Sequence, residues 1–417
     1  MPSAISNNNN HCQAERVAEE RPAPVSQQSS TPSLSDSKIS HTQKSVVKSV
    51  DQDTLFHDAK IFRPPKTLGM LNSQRDRDHF GALAGPMQNT PVEIWTEIFR
   101  WCCLPGLFVH QDIQDDFTGE VIAVAPAMDI SQTCTLWRRI ALDIPRLWSD
   151  IQLELVYDLR DPSTKRWLDC YLLRSKTAPL NLDVSACGNG RDKGRFFWPI
   201  LQSLFDNGNR WKTASFRFDA ELFPHTTKHL ANTGSYPTLE YLNISSSGQP
   251  DSLGTVFSQI WKHAPILRTL YLDCFCKRTF PFTSHCLQSL TIDIWVRPVH
   301  LLHILCNFPA LQHLTTHVAE ELDVAFSTEL FHSRLRSLYL YIEDLTSFVT
   351  VLSSLTLPTL LDFDLAVGDF DTDQEVFGCL KGMLQRSGCR LQELSLGGQL
   401  GAYQQELLEL LKPTLTC

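Results

Sequence analysis

From about residue 180 onward the chain repeats one short pattern, L-x-x-L-x-L, and no other feature narrows its fold as much. Clear copies are Leu239-Glu-Tyr-Leu242-Asn-Ile244, Leu267-Arg-Thr-Leu270-Tyr-Leu272 and Leu287-Gln-Ser-Leu290-Thr-Ile292. Others begin at Leu311, Leu335, Leu360 and Leu391, with Thr316 and Phe363 standing in for leucine. Trp211, Ala214 and Phe216 make a degenerate earlier copy, and "PLNLDVS" at 179–185 reads as a first strand. Counted from Trp211, successive starts lie 28, 28, 20, 24, 24, 25 and 31 residues apart. The alternating apolar pair is the signature of a strand buried on one face, and the remaining length in each period accommodates a helix. The segments "LGTVFSQIWKHA", "PVHLLHILCNF" and "LTSFVTVLSSL" are apolar enough to supply such helices.

A strand-plus-helix unit of this period resembles a leucine-rich repeat, and stacked copies build a solenoid. The asparagine or cysteine expected three residues after the last apolar position is mostly absent, so the repeats are irregular. If the leucines point inward, the residues between them line the open concave face. There the sequence places Tyr241, Asn243, Thr269, Tyr271, Asp273, Ser289, Thr291 and Asp293. It continues with His313, Thr315, His317, Ser337, Tyr339, Tyr341, Asp362, Asp364, Glu393 and Ser395. Tyr241, Tyr271, Asp273, Asp293, His313, Tyr339, Tyr341, Asp362 and Asp364 are the candidate target-binding residues. Tyrosines beside carboxylates suit a basic or arginine-bearing partner. The competing readings are ordinary solvated strand residues, or recognition by loops at the rim.

Upstream, "TPVEIWTEIFRWCCLP" reads as a helix with Thr90 as N-cap, Pro91 in its first turn and Glu93 completing a capping box. Ile94, Ile98, Trp101 and Cys102 recur at helical spacing, with Trp95 and Phe99 on the neighbouring stripe, and Pro105 ends the helix. A loop with the acidic section "QDIQDDFTGE" follows. In "MDISQTCTLWRRIALDIPRLWSDIQL", residues 128–153, the spacing predicts one helix whose face carries Ile130, Cys134, Trp137, Ile140, Ala141 and Ile144. Pro145 terminates it, and "LWSDIQLEL" is an extended exit.

Joined, these two segments resemble an F-box, particularly the F-box-like domains abundant in mushroom-forming fungi. That pattern is L-P-x-E-[IL]-[LW]-x-x-I-F, then S-x-V-C-x-x-W-[RK]-x-[IL]-A, then P-x-L-W. The chain matches at Pro91, Glu93, Ile94, Ile98 and Phe99, and again at Ser131, Cys134, Trp137, Arg138, Ile140, Ala141, Pro145, Leu147 and Trp148. It departs at Thr90, where leucine is usual, at Thr133, where valine is usual, and in the acidic loop. The resemblance implies a Skp-type adaptor and cullin as partners, with Pro91, Ile94, Ile98, Phe99, Cys134 and Trp137 as adaptor contacts. Physically, so small a helical unit cannot bury two apolar faces by itself, so surplus bulk is expected to pack in a partner's groove. The alternative for Trp137 and Trp148 is that they anchor this unit to the first repeat.

At 417 residues the chain has room for two or three domains. The division read from it is a disordered Ser/Asn/Gln/Pro-rich tail over 1–60, a linker over 61–88, an F-box-like domain over 89–152 and a repeat region over 165–417. The fold class is α+β overall: a small all-α F-box followed by an irregular α/β leucine-rich-repeat solenoid. A net charge of −9 argues against nucleic acid or anionic membrane as partner, and no 18-residue apolar run predicts a membrane span. The 13 scattered cysteines read as reduced, mostly buried thiols of a cytoplasmic or nuclear protein. The ending "LLKPTLTC", without an evident capping repeat, reads as a truncated C-terminus.

Other motifs have only the look of chemistry. Gly188, Gly190 and Gly194 miss the dinucleotide-site register by one residue. His313 and His317, four apart in a strand, lie about 13 Å from each other, too far to share an ion. His300, His303 and Cys306, and Cys274, Cys276, His285 and Cys286, lack paired zinc-ligand spacing. Asn243-Ile-Ser245 matches a glycosylation acceptor but falls in a strand. No catalytic, cofactor-binding or metal residues are assigned. The expected function is a non-enzymatic substrate receptor of an SCF-type ubiquitin ligase. The alternatives are a non-ligase repeat scaffold with a degenerate F-box and, last, an enzyme using the glycine-rich turn.

Overall fold

The computed structural model describes residues 89–104, 106–112, 120–156, 162–187, 193–219, 234–247, 260–273, 283–319, 329–368, 374–397, 400 and 405–407. The expected tail, linker, C-terminal ending and glycine-rich turn lie outside them, apart from Gly194. In chain order the first half contains helix α1 (Val92–Cys102), strands β1 (Leu107–Asp112) and β2 (Glu120–Val124), and helices α2 (Pro126–Thr133) and α3 (Thr135–Asp143). After a 3-10 turn at Pro145–Trp148 come β3 (Asp150–Val156), α4 (Pro162–Arg174), β4 (Leu180–Cys187), α5 (Lys193–Phe205) and β5 (Trp211–Asp219). Then follow β6 (Tyr241–Ser247), β7 (Thr269–Asp273), β8 (Ser289–Val296), α6 (Pro298–Asn307), β9 (His313–Val318) and β10 (Leu330–Phe331). The chain continues through β11 (Ser337–Ile342), α7 (Leu345–Ser354), β12 (Leu355–Thr356), β13 (Asp362–Val367), α8 (Gln374–Ser387) and β14 (Glu393–Leu396).

The apolar repeats account for the architecture. Twelve strands form one mixed α/β sheet in the order β14-β13-β11-β9-β8-β7-β6-β5-β4-β3-β1-β2, while β10 and β12 pair separately. Every pair is parallel except β1–β2. Parallel neighbours need crossovers, which the intervening helices provide where they are described. Equivalent leucines align, Leu314 with Leu338 and Leu338 with Phe363, and all three are buried. Each such side chain contributes about 1.5–3 kcal/mol by leaving water. Intervening residues such as Tyr271, Thr291 and Tyr339 stay half-buried on the other face.

A main-chain ladder ties the strand starts together. The carbonyls of Glu240, Arg268, Gln288, Gln312, Arg336 and Leu361 each accept two successive N–H groups from the next repeat, at 2.7–3.1 Å. These bonds need no asparagine side chain, which fits the near-absence of that residue from the repeats.

The repeat also begins earlier than the sequence suggests. Trp148, Ile151 and Leu153 reproduce the spacing of Trp211, Ala214 and Phe216, and β3, β4 and β5 are in register through Ile151, Leu182 and Ala214. Both tryptophans are fully buried, and each indole N–H donates to a carbonyl seven residues back. Trp148 reaches Ala141 O at 2.8 Å and Trp211 reaches Leu204 O at 3.2 Å.

Three local expectations are corrected. The segment expected to be all-α contains β1 and β2, which flank the acidic section, and β1 joins the main sheet beside β3. The alternation of Leu107 and Val109, both buried, was obscured by the charged residues that follow. Gly106 is required there, because a Cβ would collide with the Asp150 carbonyl. The helix opens at Val92, with Pro91 in the N-cap position and Thr90 outside it. The single helix expected around Trp137 is two, since Cys134 is extended (φ −155°, ψ 169°) and caps α3.

Residues 81–417 make one unit, with a continuous hydrophobic core from Trp95 to Leu407. The expected helical and repeat segments therefore share a core and a sheet. Among the described residues no helix is long and apolar enough to cross a membrane. The thiols depart from expectation. Eight cysteines are free thiols: Cys102, Cys134, Cys286 and Cys306 are exposed, Cys170 and Cys379 half-buried, and Cys103 and Cys389 buried.

Candidate interaction sites

Helix α1 has two apolar stripes with different fates. Trp95, Phe99 and Cys103 follow one another at four-residue steps and are buried. Trp137 of α3 packs on this stripe, its ring 5.0 Å from Trp95 and 5.2 Å from Phe99 between centroids. Burial pushes the Cys103 thiol up to about 12, with smaller contributions from Cys102 and Asp129. The second stripe faces solvent: Ile94 is 51% exposed, Ile98 40% and Trp101 75%, and Val92 at the helix start and Leu104 just past its end are exposed as well.

Of the residues expected to meet an adaptor, Pro91, Ile94, Ile98 and Cys134 are exposed and Trp137 is half-buried. Phe99 is corrected: at 1% exposure its ring is part of the core and holds α1 against Trp137. Trp101, on the stripe of Ile94 and Ile98 but outside the adaptor contacts that the resemblance implies, belongs to the exposed set. The signal was present, since 91, 94, 98 and 101 follow the three- and four-residue steps of one helix face. Cys134 caps α3 through its sulfur, which accepts the Trp137 N–H at 3.5 Å.

Trp148 is an anchor. Tyr171 meets its ring edge-on at 5.1 Å and the Arg174 guanidinium lies 4.5 Å from its centroid. Arg174 Nη1 also reaches Met128 Sδ at 3.2 Å, linking α4 to α2.

On the open face of the sheet, Asp293 and His313 are exposed, while Tyr241, Tyr271, Asp273, Tyr339, Tyr341, Asp362 and Asp364 are half-buried. The structure brings some of them together. The Tyr271 hydroxyl donates to Asp293 at 3.0 Å, and His317 Nε2 lies 3.9 Å from the same carboxylate. Burial, then the hydrogen bond and charge of Asp293, push the Tyr271 phenol up to about 12. Ser245 donates to Asp273 at 2.7 Å.

Trp295 was not among the candidates. A β-bulge after Ile292 takes Asp293 and Ile294 out of the ladder and brings Trp295 opposite His317. Its ring then lies 5.5 Å from His317 and 5.3 Å from Tyr341, and it is 46% exposed. Parity alone put Trp295 on this face, two residues beyond Asp293.

The apparent chemical motifs separate. His300 is buried with its Nε2 3.1 Å from Arg297 Nη2, whereas His303 and Cys306 are exposed. Cys274 and Cys276 lie outside the described residues. Asn243 is in β6, where its amide donates to Ser215 at 3.3 Å. No protein-family model matches the chain, and a search of curated proteins finds no match to it.

Proposed function

We propose that this protein is a substrate receptor of an SCF-type cullin-RING ubiquitin ligase. An F-box-like helical unit takes a Skp-type adaptor, and a leucine-rich-repeat-like solenoid takes the target. On this reading the chain catalyses nothing; it raises the effective concentration of a target near a ubiquitin-charged enzyme. The observation that carries the reading is the exposed stripe of α1. Its Ile94, Ile98 and Trp101, with Val92 and Leu104 at the two ends of the helix, are five of the ten large hydrophobic side chains exposed among the described residues. A patch so concentrated, on a helix already anchored by its other face, is the mark of a helix-in-groove contact. The stacking of parallel strands in chain order supports the solenoid half of the reading.

Co-purification of the full-length chain with a Skp-type adaptor is the test. The wild type is expected to retain the adaptor. Pro91→Ala/Ile94→Ala and Ile94→Asp/Trp101→Asp are expected to lose about 30-fold in affinity, the scale of a hot-spot loss. No binding by the wild type, or equal binding by both double variants, overturns the reading. The β1–β2 strand pair between α1 and α2 favours a second reading, a non-ligase repeat scaffold with a degenerate F-box. That protein would bind a partner on the open face and no adaptor.

A further inference from the structure

We infer that the open face of the sheet carries a site for an arginine-bearing basic segment of a partner protein, seated on Trp295 between Asp293 and Asp364. The inference rests on reading this face as the target-binding surface, and it names the chemistry of the target.

Three aromatic side chains from neighbouring strands meet in one triangular cluster. Trp295 of β8, His317 of β9 and Tyr341 of β11 occupy one register level. Their ring centroids are 5.3–5.8 Å apart and their planes tilt by 57–71°. Rings so close leave no hollow between them for a bulky quaternary ammonium. The exposed indole instead offers a platform, on which a planar guanidinium stacks more favourably than a compact ammonium. Beyond Tyr341 the residue at this level on β13 is Ala366, whose side chain is small.

Charge selects the same occupant. From β6 to β14 the described outward positions carry carboxylates on β7, β8, β13 and β14 and no lysine or arginine. These carboxylates steer and orient a cationic segment, while the exposed Arg297, two residues beyond Trp295, lies just past the end of β8. Asp364 on β13 is level with Tyr339, one outward step before the aromatic cluster. Asp293 lies in the bulge of β8 just before Trp295, at the other end of the cluster across the sheet. Three strand spacings separate them, about 14 Å, which four residues of extended chain span. Two arginines four residues apart fit this layout. The bond Asp293 accepts from Tyr271 holds its carboxylate in place while leaving further lone pairs for the ligand.

The test is a fluorescence-polarisation titration of the full-length protein with a dye-labelled nonapeptide carrying arginines four residues apart in a Gly/Ser background. Saturable binding that weakens with salt is expected, about tenfold weaker in Trp295→Ala and about threefold weaker in Asp364→Asn. Trp295→Phe, which keeps a ring face, is expected to retain most of the affinity. A lysine version of the peptide is expected to bind several-fold more weakly. No saturation at about 1 mM peptide, unchanged binding by Trp295→Ala, or equal affinity for the lysine peptide overturns the inference. Adaptor co-purification by the same Trp295→Ala protein reports on α1 and on folding. Adaptor retention by the wild type without peptide binding refutes this inference alone, and peptide binding without the adaptor refutes the ligase reading alone.

Discussion

His332 illustrates how much one side chain can hold in place. Its Nδ1 accepts the Leu335 N–H at 3.1 Å, so that nitrogen carries no proton, and Nε2–H donates to the Phe308 carbonyl at 3.1 Å. The bond accepted at Nδ1 requires a neutral ring, whereas the Nε2–H bond to the carbonyl is kept on protonation. Burial holds its pKa below the usual histidine value, outweighing the Phe308 bond, which acts the other way. As pH falls below about 6.5 the unfolded chain therefore takes up its proton first. Stability from this group is full above that pH and declines below it. The urea midpoint is expected to fall between pH 7 and pH 5, and to fall less in His332→Gln. Cys103 behaves in the opposite pH range: its raised pKa makes the unfolded chain lose a proton first above about pH 9.

The informative element is α1, because its two stripes carry different loads. Phe99→Ala opens a cavity against Trp137 and is expected to cost about 3–5 kcal/mol. Ile94→Lys, on the exposed stripe, is expected to change stability by less than about 0.5 kcal/mol. Chemical denaturation of the two variants checks both values, and a large loss from Ile94→Lys would mean that stripe serves the fold. At this scale the sequence was legible in part. Helical spacing identified both stripes, but which one the rest of the chain covers depends on Trp137, 38 residues beyond Phe99. The division into α2 and α3 was hidden for a local reason. Cys134 fits a helical pattern by polarity, yet its extended backbone makes it a cap.

For the whole molecule, the shared core has a direct consequence. Cutting between β3 and α4 would expose the β4 edge and separate Trp148 from Tyr171. Fragments 89–156 and 162–417, expressed apart, are expected to aggregate, because a long unpaired strand edge beside apolar surface invites association. Size-exclusion chromatography checks this, and two monomeric, cooperatively unfolding fragments would show independent domains.

What the sequence determined by itself was the strand content of the second half, copy by copy. Alternation at L-x-x-L-x-L dictates which side chains enter a core, whichever strands become neighbours. Leu270, Leu290 and Leu338 are buried accordingly. Tertiary structure alone decided the rest. The pairing of β1 with β3, the start of the repeat at Trp148 and the meeting of Trp295 with His317 and Tyr341 all join residues distant in the chain. Local periodicity states which face a residue takes, whereas strand order and a bulge decide which residues stand beside it there.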